Sequence, residues 1–302
     1  MPHGILLLDK PLGLSSNGAV QRVRRIFGRE KAGHTGSLDP LATGMLPICL
    51  GEATKVAGHL LEGDKEYEFT MRFGGRSATG DLEGEIVEQA DVPADPAAAL
   101  QAVIPAFLGP IQQIPPMYSA LKRDGQPLYR LARQGLEVER EARSITLHRL
   151  EVLGVQGAEA SLRVSCSKGT YVRTLAEDLA RAAGSCALLS ALRRTAVAPF
   201  PRGAMVTLEA LEAAPAAAPL LSPDAALPQL PVAQLDAGAT QRLRQGQAVP
   251  VEPGAPFAAG LLRLYGPGPV FLGIGEGFLA GDGSTRLLKP VRLFNDLEPI
   301  TA

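Results

Sequence analysis

The stretch "SLRVSCSKGTYVRTLAEDLARAAG", residues 161–184, changes its period halfway. Up to Cys166 apolar and polar residues alternate, which puts Leu162, Val164 and Cys166 on one side of a strand. From Thr170 the apolar positions recur at helical spacing, and Gly184 stops the run, so a helix follows the strand directly. The same test makes "GILLLDKP" (4–11) a strand entering a turn and "YEFTMRF" (67–73) a strand with Tyr67, Phe69, Met71 and Phe73 on one side. "NGAVQRVRRIF" (17–27) reads as a helix capped by Asn17, with Val20, Val23, Ile26 and Phe27 on one face. These elements lack a regular βαβ rhythm, which points to an α+β fold with a mixed, largely antiparallel central sheet flanked by helices. Residues 213–231 are rich in Ala and Pro and read as a linker. Beyond them, short apolar runs cut by Gly-rich turns predict a small C-terminal β domain, so the expected units are 1–230 and 231–302.

The composition bounds the function classes. A chain of 302 residues with 46% hydrophobic and 20% charged residues can bury a proper core and reads as an ordinary globular protein. No uninterrupted apolar run approaches the roughly 18 residues a membrane span needs, and no targeting segment is evident, so a cytoplasmic protein without membrane contact is expected. Cys49, Cys166 and Cys186 are odd in number and each sits among apolar neighbours, as buried thiols do in a reducing compartment. His3, His34, His59 and His148 lack metal-ligand spacing, and no metal is expected.

Charge is more informative along the chain than in its sum of −1. Residues 22–31 set Arg22, Arg24, Arg25, Arg29 and Lys31 against Glu30 alone. Residues 122–149 include Lys122, Arg123, Arg130, Arg133, Arg140, Arg143 and Arg149, and residues 163–194 a third basic cluster. Acids crowd residues 62–95 instead. Such asymmetry fits either one basic face for a polyanion or a set of solvated helix faces.

Within "GHTGSLDPLATGMLPICLG" (33–51) Asp39 is the one residue fully charged at neutral pH. Asp before Pro commonly opens a turn by bonding its own backbone. The other reading is a lone carboxylate with chemical work to do, which then needs a partner from elsewhere in the chain. "CSKGTYVRT" (166–174) places Tyr171 and Arg173 at a helix N-terminus, where Arg173 either pairs with Asp39 or lies on a solvated first turn. Tyr67 is either a core aromatic or a platform on which an extruded base stacks, and His34 either a loop residue bonded to backbone or a functional one.

The ordered motifs "LLLDKPLGLSS", "KAGHTGSLDPLATGMLPICLGEATK", "KEYEFT", "PPMYSALKRDGQPLYRLARQG", "CSKGTYVRTLAEDLA" and "ALRRT" resemble the TruB family of bacterial tRNA pseudouridine-55 synthases. The resemblance is close over about residues 4–205 and weak beyond them. It implies the pseudouridine synthase fold with an RNA-gripping insertion at about 110–145 and a small PUA-like C-terminal β domain. The implied activity is cofactor-free isomerisation of one uridine in the T-loop of tRNA, by base flipping and attack of an aspartate. Asp39 matches the family's nucleophile, Arg173 the arginine that pairs with it, and Tyr171 an active-site tyrosine. Tyr67 matches the residue that stacks on the base and is implicated in the proton step at carbon 5. His34 matches a histidine that displaces or holds the flipped loop, Lys10 a structural lysine near the site, and Leu192 an apolar wall of the uracil pocket. Lys122, Arg123, Arg130 and Arg133 fall in the insertion, where they would hold the RNA backbone. The implied partner is tRNA, engaged by a monomer without an obligate protein partner. A related guide-RNA-dependent synthase normally works with partner proteins and carries a longer RNA-binding C-terminal region, which this sequence lacks. A tRNA-folding chaperone with secondary catalysis is the remaining reading, and an intact set of Asp39, Tyr67, Tyr171 and Arg173 argues against a purely binding protein.

Overall fold

A computed structural model describes residues 3–29, 31–251 and 257–295. Its main sheet has ten strands: β1 (Gly4–Lys10), β2 (Ala32–His34), β3 (Ala42–Leu50), β4 (Lys65–Phe73), β5 (Gly109–Gln113), β6 (Arg143–Gln156), β7 (Glu159–Cys166), β8 (Ala187–Val197), β9 (Val206–Thr207) and β10 (Leu220–Leu221). The spatial order is β9-β1-β3-β8-β4-β7-β6-β5, with β10 on β1 and β2 on β3. Among the described residues of this sheet only β1·β9 and β3·β8 run parallel, so the central sheet is mixed and largely antiparallel, as the α+β expectation has it. A second, five-stranded sheet is built from Val232 to Leu293.

Three helices matter for the site: α1 (Ser16–Ile26), α2 (Leu128–Arg133) and α3 (Val172–Ala182). The cap of α1 is Ser15, not Asn17: its hydroxyl accepts from Gly18 N at 3.1 Å, which starts the helix two residues earlier. The Ser16 hydroxyl, just inside the helix, donates to Leu38 O at 2.9 Å and accepts from Leu38 N at 2.7 Å, fixing the loop that carries Asp39. Helix α3 buries Leu175, Ala176, Leu179 and Ala180 against Phe69, Met71, Leu162 and Val164, the apolar sides of β4 and β7 that alternation predicts.

The stretch 213–231 is not a free linker. Leu220 and Leu221 pair with Leu6 and Ile5, while Ala226 and Leu227 are buried in the core. Alanine and proline set the composition there, but the leucines between them carry enough apolar surface to dock. The core they enter is shared: Ile5, Met45, Cys49 and Leu227 pack together with Phe271 and Ile274 of the second sheet and with Phe294 just after its last strand. Polar ties reinforce it, Lys55 Nζ donating to Leu293 O at 2.8 Å and Asn295 N to Glu52 Oε2 at 2.8 Å.

Between β5 and β6 lies the basic insertion. Lys122–Arg123 and Gln126–Pro127 form a hairpin whose Asp124-Gly125 turn has φ of 51° and 79°, the left-handed pair that a tight hairpin requires.

Candidate active site

The Asp39 loop is held as a turn by its backbone: Ala42 N donates to Asp39 O at 3.0 Å and Gly13 N to Pro40 O at 2.8 Å. The carboxylate is left for other work. Its Oδ2 lies 3.0 Å from Arg173 Nη2, with the Asp39 side chain 45% exposed and that of Arg173 7%. Arg173, on the first turn of α3, also donates through Nη1 to Thr79 O at 2.8 Å and through Nη2 to Tyr118 O at 2.7 Å. Its Nε faces the buried Asp81 at 3.8 Å. Asp81 is fixed in turn by Thr79 Oγ1 at 2.5 Å and Glu83 N at 3.0 Å. One guanidinium therefore aims the nucleophile candidate and stays paired behind it.

Asp39 and Arg173 stand between two cavities. The first, of about 310 Å³, is lined by Asp39, Lys65, Tyr67, Tyr171, Leu192 and Arg194, among others. The second, of about 370 Å³, brings His34, Asn17, Tyr129 and Arg133 to the other side of Asp39. The main chain of Tyr171 is clamped by the Gln113 carboxamide, which accepts from Tyr171 N at 2.8 Å and donates to Tyr171 O at 3.1 Å. Burial pushes the Tyr171 and Tyr67 hydroxyls above the ordinary phenol range, so both are protonated donors at neutral pH.

Arg194 is fully buried beneath the first cavity. It lies directly across the β4·β8 ladder from Tyr67, and donates through Nε to Met45 O at 2.7 Å and through Nη2 to Gly36 O at 3.1 Å. Gly44 makes this crossing possible: with φ of +96°, a Cβ there would sit 2.2 Å from Arg194 O. Lys65 is buried and donates to Leu61 O at 2.7 Å and Gly63 O at 2.5 Å. Lys10 is fully buried and donates to Pro11 O at 2.9 Å and Leu14 O at 2.6 Å, tying the turn after β1 as a structural lysine would. Burial lowers both ammonium groups to about 8, Asp39 partly opposing the shift at Lys10. His34 is shifted down by burial and by Arg194, which favours the neutral ring; its Nδ1 is buried without a hydrogen-bond partner.

The structure thus gathers Asp39, Tyr67, Tyr171, Arg173 and Leu192 in one cleft, with His34 and Arg133 next door and Lys10 behind. Lys122 and Arg123 instead line a separate hollow of about 410 Å³ with Arg140 and Arg143, and Arg130 is exposed on α2 away from all three cavities. Thr79, Asp81, Gln113 and the Tyr118 carbonyl belong to the site without having been legible in the sequence. Asp81 is one acid among many between residues 62 and 95, and carbonyls carry no sequence signature.

Comparison with known proteins supplies the context. Residues 24–172 match the description "TruB family pseudouridylate synthase (N terminal domain)", residues 173–223 "tRNA pseudouridylate synthase B C-terminal domain" and residues 231–294 "Pseudouridine synthase II TruB, C-terminal". A tRNA pseudouridine synthase B of Pseudomonas putida is 52% identical over 280 residues, covering 90% of this chain and 91% of its own. One of Aromatoleum aromaticum is 52% identical over 293 residues, covering 96% and 92%. Among solved structures, a Cbf5-Nop10-Gar1 complex superimposes with a TM-score of 0.70 at 27% identity, covering 98% of this chain and 84% of that one. Three family descriptions in chain order, half-identical relatives along almost the whole length and a cleft centred on a paired aspartate lead to one conclusion: the chain belongs to the TruB family of pseudouridylate synthases.

Proposed function

We propose that this protein isomerises one uridine in the T-loop of tRNA to pseudouridine, as a monomer in the cytoplasm and without a guide RNA. The observation that carries the reading is the Asp39–Arg173 pair at 3.0 Å, at the mouth of a cleft walled by Tyr67, Tyr171 and Leu192. A paired base cannot reach such a cleft, so the uridine is extruded, and the aromatic and apolar walls offset the unstacking cost. Asp39 then attacks, splitting one difficult exchange of bonds into two easier ones. Arg173 orients it, and its carbonyl and Asp81 contacts keep the guanidinium in place while the carboxylate is engaged. Tyr67, half-buried in the cleft wall, stacks on the base and lends its hydroxyl to the proton transfer at carbon 5.

The basic insertion supplies the hold on phosphate, with Lys122, Arg123, Arg130 and Arg133 all exposed for it. Action without a guide is favoured over the guide-dependent alternative by identity: 52% to proteins named tRNA pseudouridine synthase B against 27% to the Cbf5-Nop10-Gar1 chain. A single-turnover assay on unmodified tRNA, with no guide RNA and no other protein, tests the reading. Pseudouridine in the T-loop supports it; binding without conversion would leave a tRNA-binding protein instead.

A further inference from the structure

Arg194 and Lys65 are buried cations that line the cleft; Lys65 donates to main-chain carbonyls, and Arg194 to main-chain carbonyls and to the hydroxyl of Tyr67. Among the described residues neither has a carboxylate within 4.0 Å: Asp64 and Glu62, the acids that act on Lys65, pair with His148 and Lys168, and Glu66 and Glu68 on β4 pair with Arg202 and Arg163. A cation placed away from water without an anion is costly, and replacing it by an apolar side chain is the cheaper way to fill a core. Stability therefore does not explain the two charges. They share the cleft with Tyr67 and Leu192, with Arg194 facing Tyr67 from the neighbouring strand, so both lie under the place where the flipped base would rest.

We infer that Arg194 and Lys65 form a positive floor that stabilises the negative charge on the departing uracil when its glycosidic bond breaks. The inference rests on the reaction proposed above. A carboxylate oxygen of Asp39 bonds to the sugar carbon C1′ as the C1′–N1 bond breaks, and the bonding pair leaves with the base. The base becomes a uracil monoanion with its charge spread over N1 and the ring carbonyl oxygens. Turned within the cleft, it gives an electron pair from C5 to C1′, and the Asp39 oxygen leaves with its own pair. C5 then gives up its proton and N1 gains one, so the product is an isomer of the substrate. The only step that places a full negative charge on the base is the first, and fixed charges already in position stabilise it without reorganisation. Arg173 sits at the carboxylate end and cannot serve both.

The test uses full-length protein, a tRNA T-arm stem-loop and single turnovers, with loss of the N-linked nucleoside read by nuclease digestion and chromatography. Substrates carry either uridine or 5-fluorouridine at the target. Fluorine is close to hydrogen in size but withdraws electrons, so the fluorinated base carries its negative charge with less help. Lys65→Met and Arg194→Gln are expected to slow uridine loss on the order of 10²-fold, and 5-fluorouridine loss by about ten times less than that. Should Arg194→Gln fail to fold, Lys65→Met carries the comparison alone. Equal fold-losses on both substrates would overturn the inference, because a cation with only a structural role is blind to the base. Asp39→Asn in the same assay separates the two levels. Conversion by that variant would remove the catalytic reading of the cleft, whereas an inactive Asp39→Asn beside equal fold-losses removes only the cationic floor.

Discussion

Replacing Asp39 by Asn separates the turn from the chemistry. Asn reproduces the backbone preferences of the Asp-Pro turn, and the turn's own bonds, Ala42 N to residue 39 O and Gly13 N to Pro40 O, do not involve the side chain. What is lost is one ion pair whose carboxylate is nearly half exposed, a contact worth ~1 kcal/mol or less. Arg173 is not stranded by the change, because Thr79 O, Tyr118 O and Asp81 remain around it. For a chain of this size that loss lowers the melting temperature by about 2 °C. The chemical cost is of another order: an amide in place of the attacking carboxylate should raise the barrier by at least ~5 kcal/mol, about 10⁴-fold in rate. Tritium release from carbon 5 of uridine in tRNA, measured beside thermal melting and tRNA affinity, reads all three quantities. Release within tenfold of wild type from a folded, tRNA-binding Asp39→Asn protein would refute the assignment and return Asp39 to a turn residue.

Tyr67→Phe keeps the stacking ring and removes the hydroxyl, so tRNA affinity should hold while turnover falls about 10²-fold; unchanged tritium release would reduce Tyr67 to a platform. Gly44→Ala places a Cβ 2.2 Å from Arg194 O at a φ of +96°, and should cost about 3 kcal/mol or more in a urea titration; a loss under ~1 kcal/mol would show that the β3·β8 crossing yields. Lys10 and Lys65 titrate near 8 when folded against 10.5 for the ordinary side chain, so between those values the unfolded chain binds more protons. Their contribution to stability therefore rises with pH across that window, and Lys65→Met should flatten the rise in the urea midpoint; an identical pH slope would contradict the shift. Alanine at Lys122, Arg123, Arg130 and Arg133 together should weaken tRNA binding and make log Kd less steep in log salt, and an unchanged slope would move the phosphate contacts elsewhere.

Which parts of this architecture the sequence discloses depends on how local their causes are. The strand-to-helix switch at residues 161–184 is written in side-chain periodicity, and β7 and α3 follow it closely. Asp39 stands out because its loop holds no other full charge, and Arg173 because it opens a helix next to a strand. Asp81, Gln113 and Arg194 acquire their roles only through tertiary closure, when segments 92, 58 and 127 residues apart in sequence meet at one guanidinium, at the Tyr171 main chain and across one ladder. The Ala/Pro stretch misleads for the same reason: Leu220 and Leu227 dock into a core that no window around them contains.

The core shared by Ile5, Met45 and Leu227 with Phe271, Ile274 and Phe294 bears on how the molecule grips anything large. Two RNA-touching lobes joined by a loose tether would bind as separate ligands, each losing freedom in turn, and avidity would depend on tether length. Here the second sheet is welded to the first by aromatic packing and by the Lys55–Leu293 and Glu52–Asn295 bonds, so its distance and orientation relative to the Asp39 cleft are set before any RNA arrives. A folded RNA that spans both lobes meets a rigid caliper: one of the right dimensions engages both ends at little further entropic cost, and one a helical turn too long or too short engages only one.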